Sequence, residues 1–416
     1  MNHHILFYEK YRHRKDKLGI IKSKAGDKMR KIVLSLLSLC LIMILASCEE
    51  EVDYTKALIS VYLEGTEENK AIEIYNSGSE ELSLNQFKIG IYKVKDTKPS
   101  ITVKLGGVLE SGKCFVVCNS KSDQAILDKA DMVSEQLEFN GTEGIALMYR
   151  NTVVDVIGEL GLRNRNNDIT YVRKVNMTEP SDKFDMYNFI IYNKDNANYL
   201  GEFINSVTPE ELLAGPKFDE GYLDKEFYVT YPGMNGTGGA VEVELTLNVD
   251  GDTSYFRFPD SLDIRSFVEE KNIMTNRDGT ISTKLRYQDV DTPETYTGNI
   301  QEFGWPAKLY TAQAQENADK IYIQSVANDS LLCTYGRILG YVFVCSGDDS
   351  SMINFELIKR GYTNILFDYN ENMTYKDIPY YGYMMNARLY AQRNGLGLYG
   401  EKDPYWDYTK NQSIYA

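Results

Sequence analysis

The stretch from residue 286 to residue 294 combines residue types that could bind a cation and an anion together. It reads Arg-Tyr-Gln-Asp-Val-Asp-Thr-Pro-Glu. Its first five residues suit a strand, and Pro293 ends the strand pairing because proline has no backbone N–H. Asp291, Thr292 and Glu294 are therefore predicted at a strand end, where side-chain and carbonyl oxygens can converge on a cation. The same Asp-Thr-Pro-Glu sequence also favours a helix start or a turn, so the stretch alone leaves a purely structural explanation open.

Two further segments narrow this choice. Residues 250–253 read Asp-Gly-Asp-Thr, and residues 335–337 read Tyr-Gly-Arg. Together with the Arg286 stretch, and in this order, they resemble the staphylococcal nuclease (thermonuclease) family. In that family an arginine lies five residues before a metal-binding aspartate and a glutamate lies three residues after it, as Arg286, Asp291 and Glu294 do here.

The resemblance implies a role for each residue type. Carboxylate and carbonyl oxygens would hold Ca²⁺, a glutamate would deprotonate the attacking water, and arginines would bind the phosphate and stabilise transition-state charge. The implied positions are Asp252, Asp291 and the Thr292 carbonyl for the metal; Arg286, Glu294 and Arg337 for catalysis; and Tyr335 and Tyr369 for substrate binding. For Tyr369, an ordinary core or surface tyrosine is the alternative, because the chain contains 32 tyrosines.

Charge and composition set limits on this interpretation. The chain has 416 residues and a net charge of -15, and residues 237–416 alone carry about -9. Proteins that bind nucleic acids usually present a basic surface, so we expect weak binding of DNA or RNA that depends on Ca²⁺. Thr334 also occupies the position at which the founding member of the family has a lysine that contacts the substrate. The three histidines (His3, His4 and His13) all precede the predicted export signal, which excludes histidine catalysis in the mature protein.

The N-terminal region predicts export and lipid attachment. Residues 29–47 have a basic start and an apolar run too short for a comfortable membrane span. The run ends at Leu45-Ala46-Ser47-Cys48, which resembles the bacterial lipoprotein cleavage box, so Cys48 is the predicted lipidation site; an N-terminal transmembrane anchor is the alternative. Residues 48–53 are an acidic tether similar to the export tag of surface lipoproteins. Residues 1–28 are predicted to be a non-native extension, and the expected location is the outer membrane or the cell surface.

The rest of the chain is predicted to be mainly β and to form two domains. Residues 54–204 show short alternating strands and resemble the lamin tail domain, an immunoglobulin-like β-sandwich whose ligand cannot be read from the residues. Residues 205–236 are predicted to be a linker with a flexible joint. Residues 237–402 fit an oligonucleotide-binding (OB-fold) β-barrel with three helices, and residues 403–416 a C-terminal tail.

Four cysteines follow the signal, and their pairing is left open. Cys114 and Cys118 lie on one face of a predicted strand, too far apart for an easy bridge, whereas Cys333 and Cys345 could meet across a hairpin.

The sequence therefore predicts an exported, lipid-anchored, Ca²⁺-dependent nuclease. It would hydrolyse phosphodiesters of DNA and RNA with little sequence preference and, by the resemblance, leave 3′-phosphates. The alternative is a catalytically silent lipoprotein that binds nucleic acid or mediates adhesion.

Overall fold

The computed structural model describes residues 53–230, 233–296, 298–363 and 369–415. The predicted signal and Cys48 lie outside these residues. From Tyr54 onward the chain forms one compact unit. None of the helices in these ranges combines the length and the apolar composition needed to span a membrane.

The first half contains two main sheets. The strands of this half are β1 Ala57–Glu64, β2 Lys70–Asn76, β3 Leu82–Ser83, β4 Phe87–Tyr92, β5 Ile101–Lys104, β6 Val108–Leu109, β7 Cys114–Cys118, β8 Met132–Val133, β9 Gly144–Tyr149, β10 Thr152–Ile157, β11 Ile169–Arg173 and β12 Phe189–Asn193. Six strands form one sheet in the order β12-β11-β1-β2-β7-β8, and four antiparallel strands form the other in the order β10-β9-β4-β5. Strand β1 is buried along its whole length.

A buried ion pair links the two sheets. Arg173 on β11 lies 2.5 Å from Asp155 on β10, and both side chains are almost fully buried. Asp155 also accepts the backbone N–H of Ile59 at 2.7 Å. Its oxygens therefore serve packing between the sheets, and the half remains mainly β, with one short helix, α1 Gln124–Leu127.

The second half is organised around a closed barrel. The strands of this half are β13 Tyr228–Val229, β14 Asn235–Gly236, β15 Ala240–Asn248, β16 Thr253–Arg257, β17 Ile273–Thr275, β18 Ile281–Tyr287, β19 Lys320–Gln324, β20 Ile338–Ser346, β21 Asp349–Met352, β22 Thr374–Tyr375, β23 Ile378–Pro379, β24 Trp406–Asp407 and β25 Gln412–Ser413. The seven-stranded sheet has the order β17-β18-β16-β15-β19-β20-β21, and a further parallel pairing of β18 with β20 closes five of the strands into a ring.

Among the residues that the structure describes, four α-helices accompany this barrel. Helix α2, Pro209–Ala214, begins at Thr208 with a capping box, in which Thr208 and Glu211 each bond the other's backbone. The three longer helices are α3 Gly304–Glu316, α4 Ile353–Lys359 and α5 Tyr380–Asn394. Helix α5 ends at Gly395, whose φ of 63° suits glycine.

The two halves share one hydrophobic core. A single cluster of buried residues includes Ile190 and Tyr192 from β12 together with Phe355 and Met384 from the helices. The backbone of β12 approaches α5 so closely that a Cβ at Gly382 would lie 2.4 Å from the Ile191 carbonyl oxygen. The first half is thus packed directly against the helical side of the second.

Several segments differ from the sequence-based expectation. The predicted linker, residues 205–236, holds α2, and its Gly215 packs against the Phe355 ring. The predicted tail, residues 403–416, contains the β24–β25 pair. The four described cysteines are free thiols, so Cys333 and Cys345 do not form a bridge.

Candidate active site

Three strand ends of the barrel meet at the site. Strand β16 begins directly after Asp252, and its Thr253 lies opposite Arg286 on β18. Strand β20 begins directly after Arg337, and its Ile338 lies opposite Leu285 on the other side of β18. Because β18 pairs with both neighbours at these points, the register places the residues before β16 and before β20 on either side of Arg286.

The Arg286 guanidinium joins two of the predicted metal ligands. One nitrogen donates to Asp252 Oδ1, and the other donates to Asp291 Oδ1 and to the Val290 carbonyl, the latter at 2.9 Å. The Arg286 side chain is 19% exposed, compared with 62% for Asp291. A guanidinium holds five N–H donors in a fixed plane, whereas a lysine ammonium group is a compact charge with three donors.

Asp252 is the buried member of this group. It is 1% exposed, and its Oδ2 accepts the backbone N–H of Thr292 at 2.6 Å and the Thr292 hydroxyl at 3.1 Å. Burial raises the pKa of Asp252 to about 6, and the nearby Asp250 carboxylate also raises it, while Arg286 acts in the opposite direction. Thr292 therefore lies beside Asp252, as expected if both residues hold the same metal ion. In the two hydrogen bonds between them, Thr292 donates its backbone N–H and its hydroxyl.

The turn between Arg286 and Asp291 is held by specific hydrogen bonds. Asp289 adopts a left-handed conformation, with φ of 60°, and its Oδ2 accepts the buried Tyr341 hydroxyl at 2.8 Å. The backbone N–H of Asp291 donates to Thr363 Oγ1 at 3.0 Å. These contacts fix where the chain leaves β18 and hence where the Asp291 carboxylate points.

Glu294 lies at the far end of the turn and is half-buried. Its backbone is held by Gln301, whose side chain accepts the Glu294 N–H at 3.1 Å. Burial raises the pKa of the Glu294 carboxyl, as do the charges of Asp252 and Asp291, whereas Arg286 and Arg337 lower it. The pKa of Glu294 is thus shifted by the charges of Asp252, Asp291, Arg286 and Arg337.

Arg337 lies directly before β20 and is half-buried. Its Nε is buried and has no hydrogen-bond partner within the part of the chain that the structure describes. Its guanidinium carbon lies 5.7 Å from the centre of the Tyr335 ring, and Tyr335 is 69% exposed. The pKa of the Cys333 thiol is lowered. Burial acts to raise this pKa, but a hydrogen bond from the Arg337 side chain lowers it.

Tyr369 is placed differently from the other predicted residues. Its hydroxyl donates to Asn193 Oδ1 at 2.7 Å, at the end of β12 in the first half, and its ring packs edge-on against Tyr381. Tyr369 remains 38% exposed. The recorded contacts tie it to the junction between the halves, and its role in substrate binding stays a prediction.

Sequence reasoning missed two residues of the site. Asp250 belongs to the Asp-Gly-Asp-Thr run but was given no role; burial raises its pKa and the Glu294 charge adds to this. A second carboxylate two residues before Asp252 was the available signal. Thr363 holds the backbone of Asp291 from 72 positions away, and a lone threonine after a helix gives no local signal of this contact.

The residues fit a divalent cation by charge and donor type. Four carboxylates (Asp250, Asp252, Asp291 and Glu294) face two guanidinium groups (Arg286 and Arg337), which leaves two negative charges in excess. Hard cations such as Ca²⁺ prefer carboxylate and carbonyl oxygens. However, no group of three His, Cys, Asp or Glu side chains lies close enough to hold a metal among the described residues, because the Arg286 guanidinium lies between Asp252 and Asp291.

Comparisons with known proteins agree with this geometry. Residues 284–400 match the family described as staphylococcal nuclease homologue. The chain is 34% identical over 136 residues to endonuclease YhcR of Bacillus subtilis (strain 168), which covers 30% of this chain and 10% of that protein. It is 26% identical over 194 residues to the uncharacterized protein MJ1439 of Methanocaldococcus jannaschii, covering 46% of this chain and 83% of that protein. The chain thus spans only about a tenth of the endonuclease. Residues 284–400, which include Arg286, Glu294 and Arg337 but not Asp252, are therefore similar to the staphylococcal nuclease homologue family.

Proposed function

We propose that this protein is an exported, lipid-anchored nuclease that requires Ca²⁺ and hydrolyses phosphodiesters of DNA and RNA with little sequence specificity. The observation that carries the proposal is the Arg286 guanidinium, which joins the Asp252 and Asp291 carboxylates; Arg286 and Asp291 lie within the residues that match a nuclease family. The charges of Asp252, Asp291, Arg286 and Arg337 all act on the Glu294 carboxyl, which supports a shared role for these five residues.

Each residue has a task in this reaction. Arg286 and Arg337 bind the phosphate oxygens and stabilise the negative charge that grows in the transition state. Glu294 holds and deprotonates the attacking water, a contribution of roughly 10²–10⁴-fold. Asp252 and Asp291, with the Thr292 carbonyl, would hold Ca²⁺, which polarises the phosphate when bound.

The arrangement of Arg286 has a consequence for this mechanism. In the structure both ends of its guanidinium are satisfied by carboxylates. Asp252 and Asp291 are also the side chains that would hold Ca²⁺, so the ion and the Arg286 guanidinium would interact with the same two carboxylates. We therefore expect Ca²⁺ binding and phosphate binding to depend on each other.

The finer fold assignments belong to the same proposal. The six-stranded and four-stranded sheets of the first half support a lamin-tail-like, immunoglobulin-like sandwich. The ring of five strands with helices α3, α4 and α5 supports an OB-fold. A membrane anchor at Cys48 rests on the sequence alone.

The decisive test is digestion of plasmid and single-stranded DNA by the full chain, with Ca²⁺ and with a chelator. We expect degradation only with Ca²⁺, and products that a polymerase extends only after phosphatase treatment, as 3′-phosphates require. Glu294→Gln should lose activity by at least about 10²-fold, whereas Glu316→Gln, at an exposed helical position, should not.

Each alternative outcome has a separate meaning. Equal degradation with the chelator would refute the Ca²⁺ mechanism. Absence of degradation, together with retained DNA binding, would favour the catalytically silent binding protein. Anchoring is tested separately by radiolabelled palmitate, which should label the wild type but not Cys48→Ala, and by protease treatment of intact cells.

A further inference from the structure

A cleft of about 590 Å³ opens beside the candidate active site, between helix α3, the end of α4 and the C-terminal segment. Its walls combine aromatic rings with basic side chains. The partly exposed rings are Tyr310, Tyr362 and Tyr405, and the basic residues are Arg360 and Lys402; Phe303 also lines the cleft but is only 3% exposed.

Two chain segments connect this cleft to the catalytic turn. Tyr362 directly precedes Thr363, which accepts the backbone N–H of Asp291. Phe303 lies on the loop that follows Glu294, and the Phe303 and Tyr362 rings are 6.0 Å apart. The cleft therefore begins where the catalytic turn ends.

The C-terminal wall of the cleft is held in place by hydrogen bonds within the protein. Asp403 is 3% exposed and accepts the backbone N–H of Phe303 at 2.6 Å and that of Tyr405 at 2.8 Å. This buried carboxylate ties the Tyr405 segment to the start of α3. The Tyr405 ring stacks against the Tyr415 ring, with ring centres 5.8 Å apart, and is itself partly exposed.

The basic residues add charge that suits phosphate. The Arg360 guanidinium lies 4.2 Å from the centre of the Tyr310 ring, and its side chain is 46% exposed. Lys402 is exposed at the opposite wall. Glu356 lies 3.6 Å from Arg360, and Glu401 also lines the cleft, so the positive charge is partly balanced.

We propose that this cleft binds the single-stranded part of a DNA or RNA substrate beyond the phosphate that is cut. Aromatic faces stack on bases of any sequence, and nearby cations follow the backbone. A duplex hides its base faces, so stacking on these rings requires unpaired bases. This inference rests on the proposed nuclease function and specifies its substrate as single-stranded nucleic acid.

The first test reverses the charge of the cleft. Arg360→Glu combined with Lys402→Glu should raise KM for a long single-stranded oligonucleotide about tenfold or more, and leave cleavage of a dinucleotide unchanged. Lys98→Glu combined with Lys129→Glu changes the net charge equally at exposed sites of the first half and serves as the control. An equal rise in KM for both substrates, or for both double variants, would overturn the proposal.

The second test examines stacking without turnover. In a Glu294→Gln background, Tyr405→Phe should bind a fluorescent single strand like its parent, whereas Tyr405→Ala should bind several-fold more weakly. Equal binding by both, or stronger binding of the matching duplex, would refute the cleft as a single-strand site. These results can occur with cleavage intact, whereas absence of cleavage of any substrate in Ca²⁺ by the unmodified chain would refute the nuclease function itself.

Discussion

Replacing Lys174 by methionine should remove a pH-dependent part of the free energy of unfolding. Lys174 is 4% exposed and lies at the junction of the two halves. Its Nζ donates to Asn386 Oδ1 on α5 at 2.8 Å and lies 3.7 Å from the centre of the Tyr187 ring. Burial lowers the pKa of Lys174 from 10.5 to about 7; Asp185 opposes this shift and Arg393 contributes to it.

The sign and size follow from proton binding. Between about pH 7 and pH 10.5 the unfolded chain binds more protons at this lysine than the folded chain, so stability rises with pH in that window. Below about pH 7 the folded state must keep a charged ammonium group buried, and stability is lowest. With these two pKa values, the lysine's contribution to the free energy of unfolding rises by roughly 2–3 kcal/mol from about pH 6 to about pH 9.

Urea unfolding at several pH values measures this effect. The wild-type free energy of unfolding minus that of Lys174→Met should increase by the stated amount between about pH 6 and pH 9. Lys98→Met, at an exposed position, controls for the loss of a lysine and should follow the wild type. A difference between wild type and Lys174→Met that stays constant with pH would refute the argument.

Three further predictions concern the site, the junction and the thiols. Arg286→Lys should cut the rate of DNA hydrolysis by at least about 10²-fold with an unchanged circular dichroism spectrum, because an ammonium group cannot bind two phosphate oxygens in the bidentate geometry of a guanidinium; retained turnover would show that the guanidinium is dispensable. Gly382→Ala should lower the free energy of unfolding by about 1–3 kcal/mol, since the new methyl group meets the Ile191 carbonyl. Gly106→Ala, where the nearest atom is 3.7 Å away, is its control, and equal effects would contradict the close approach. Alkylation in denaturant without reductant should modify all four described cysteines, and fewer modified thiols would indicate a bridge.

Sequence patterns predicted part of the local structure around the candidate site. The alternating residues placed Arg286 on a strand, but β18 ends at Tyr287, and a turn rather than the strand leads to Asp291 and Glu294. The contact of Arg286 with Asp252 spans 34 positions and follows once β16 and β18 pair as neighbours. The left-handed turn at Asp289 could not be foreseen, because aspartate adopts this conformation only where neighbours such as Tyr341 support it.

The junction of the halves was not predictable for a different reason. Lys174 and Asn386 are 212 positions apart, and the sequence around each residue does not indicate its partner. Residues 205–236 lack periodicity and collect glycine and proline, which are common in linkers. Gly215 instead leaves room for the Phe355 ring, a packing role that local sequence cannot distinguish from flexibility.

The shared core limits how this architecture can be recombined. A β-sandwich joined to a barrel by a loose tether could be exchanged for another sandwich with little effect on the barrel. Here the backbone of β12 lies against Gly382, and Asn386 bonds both Lys174 and the Phe189 carbonyl. A chimera that joins a foreign first half at residue 237 would leave one face of α5 without its partner, so these two halves can only be transplanted together.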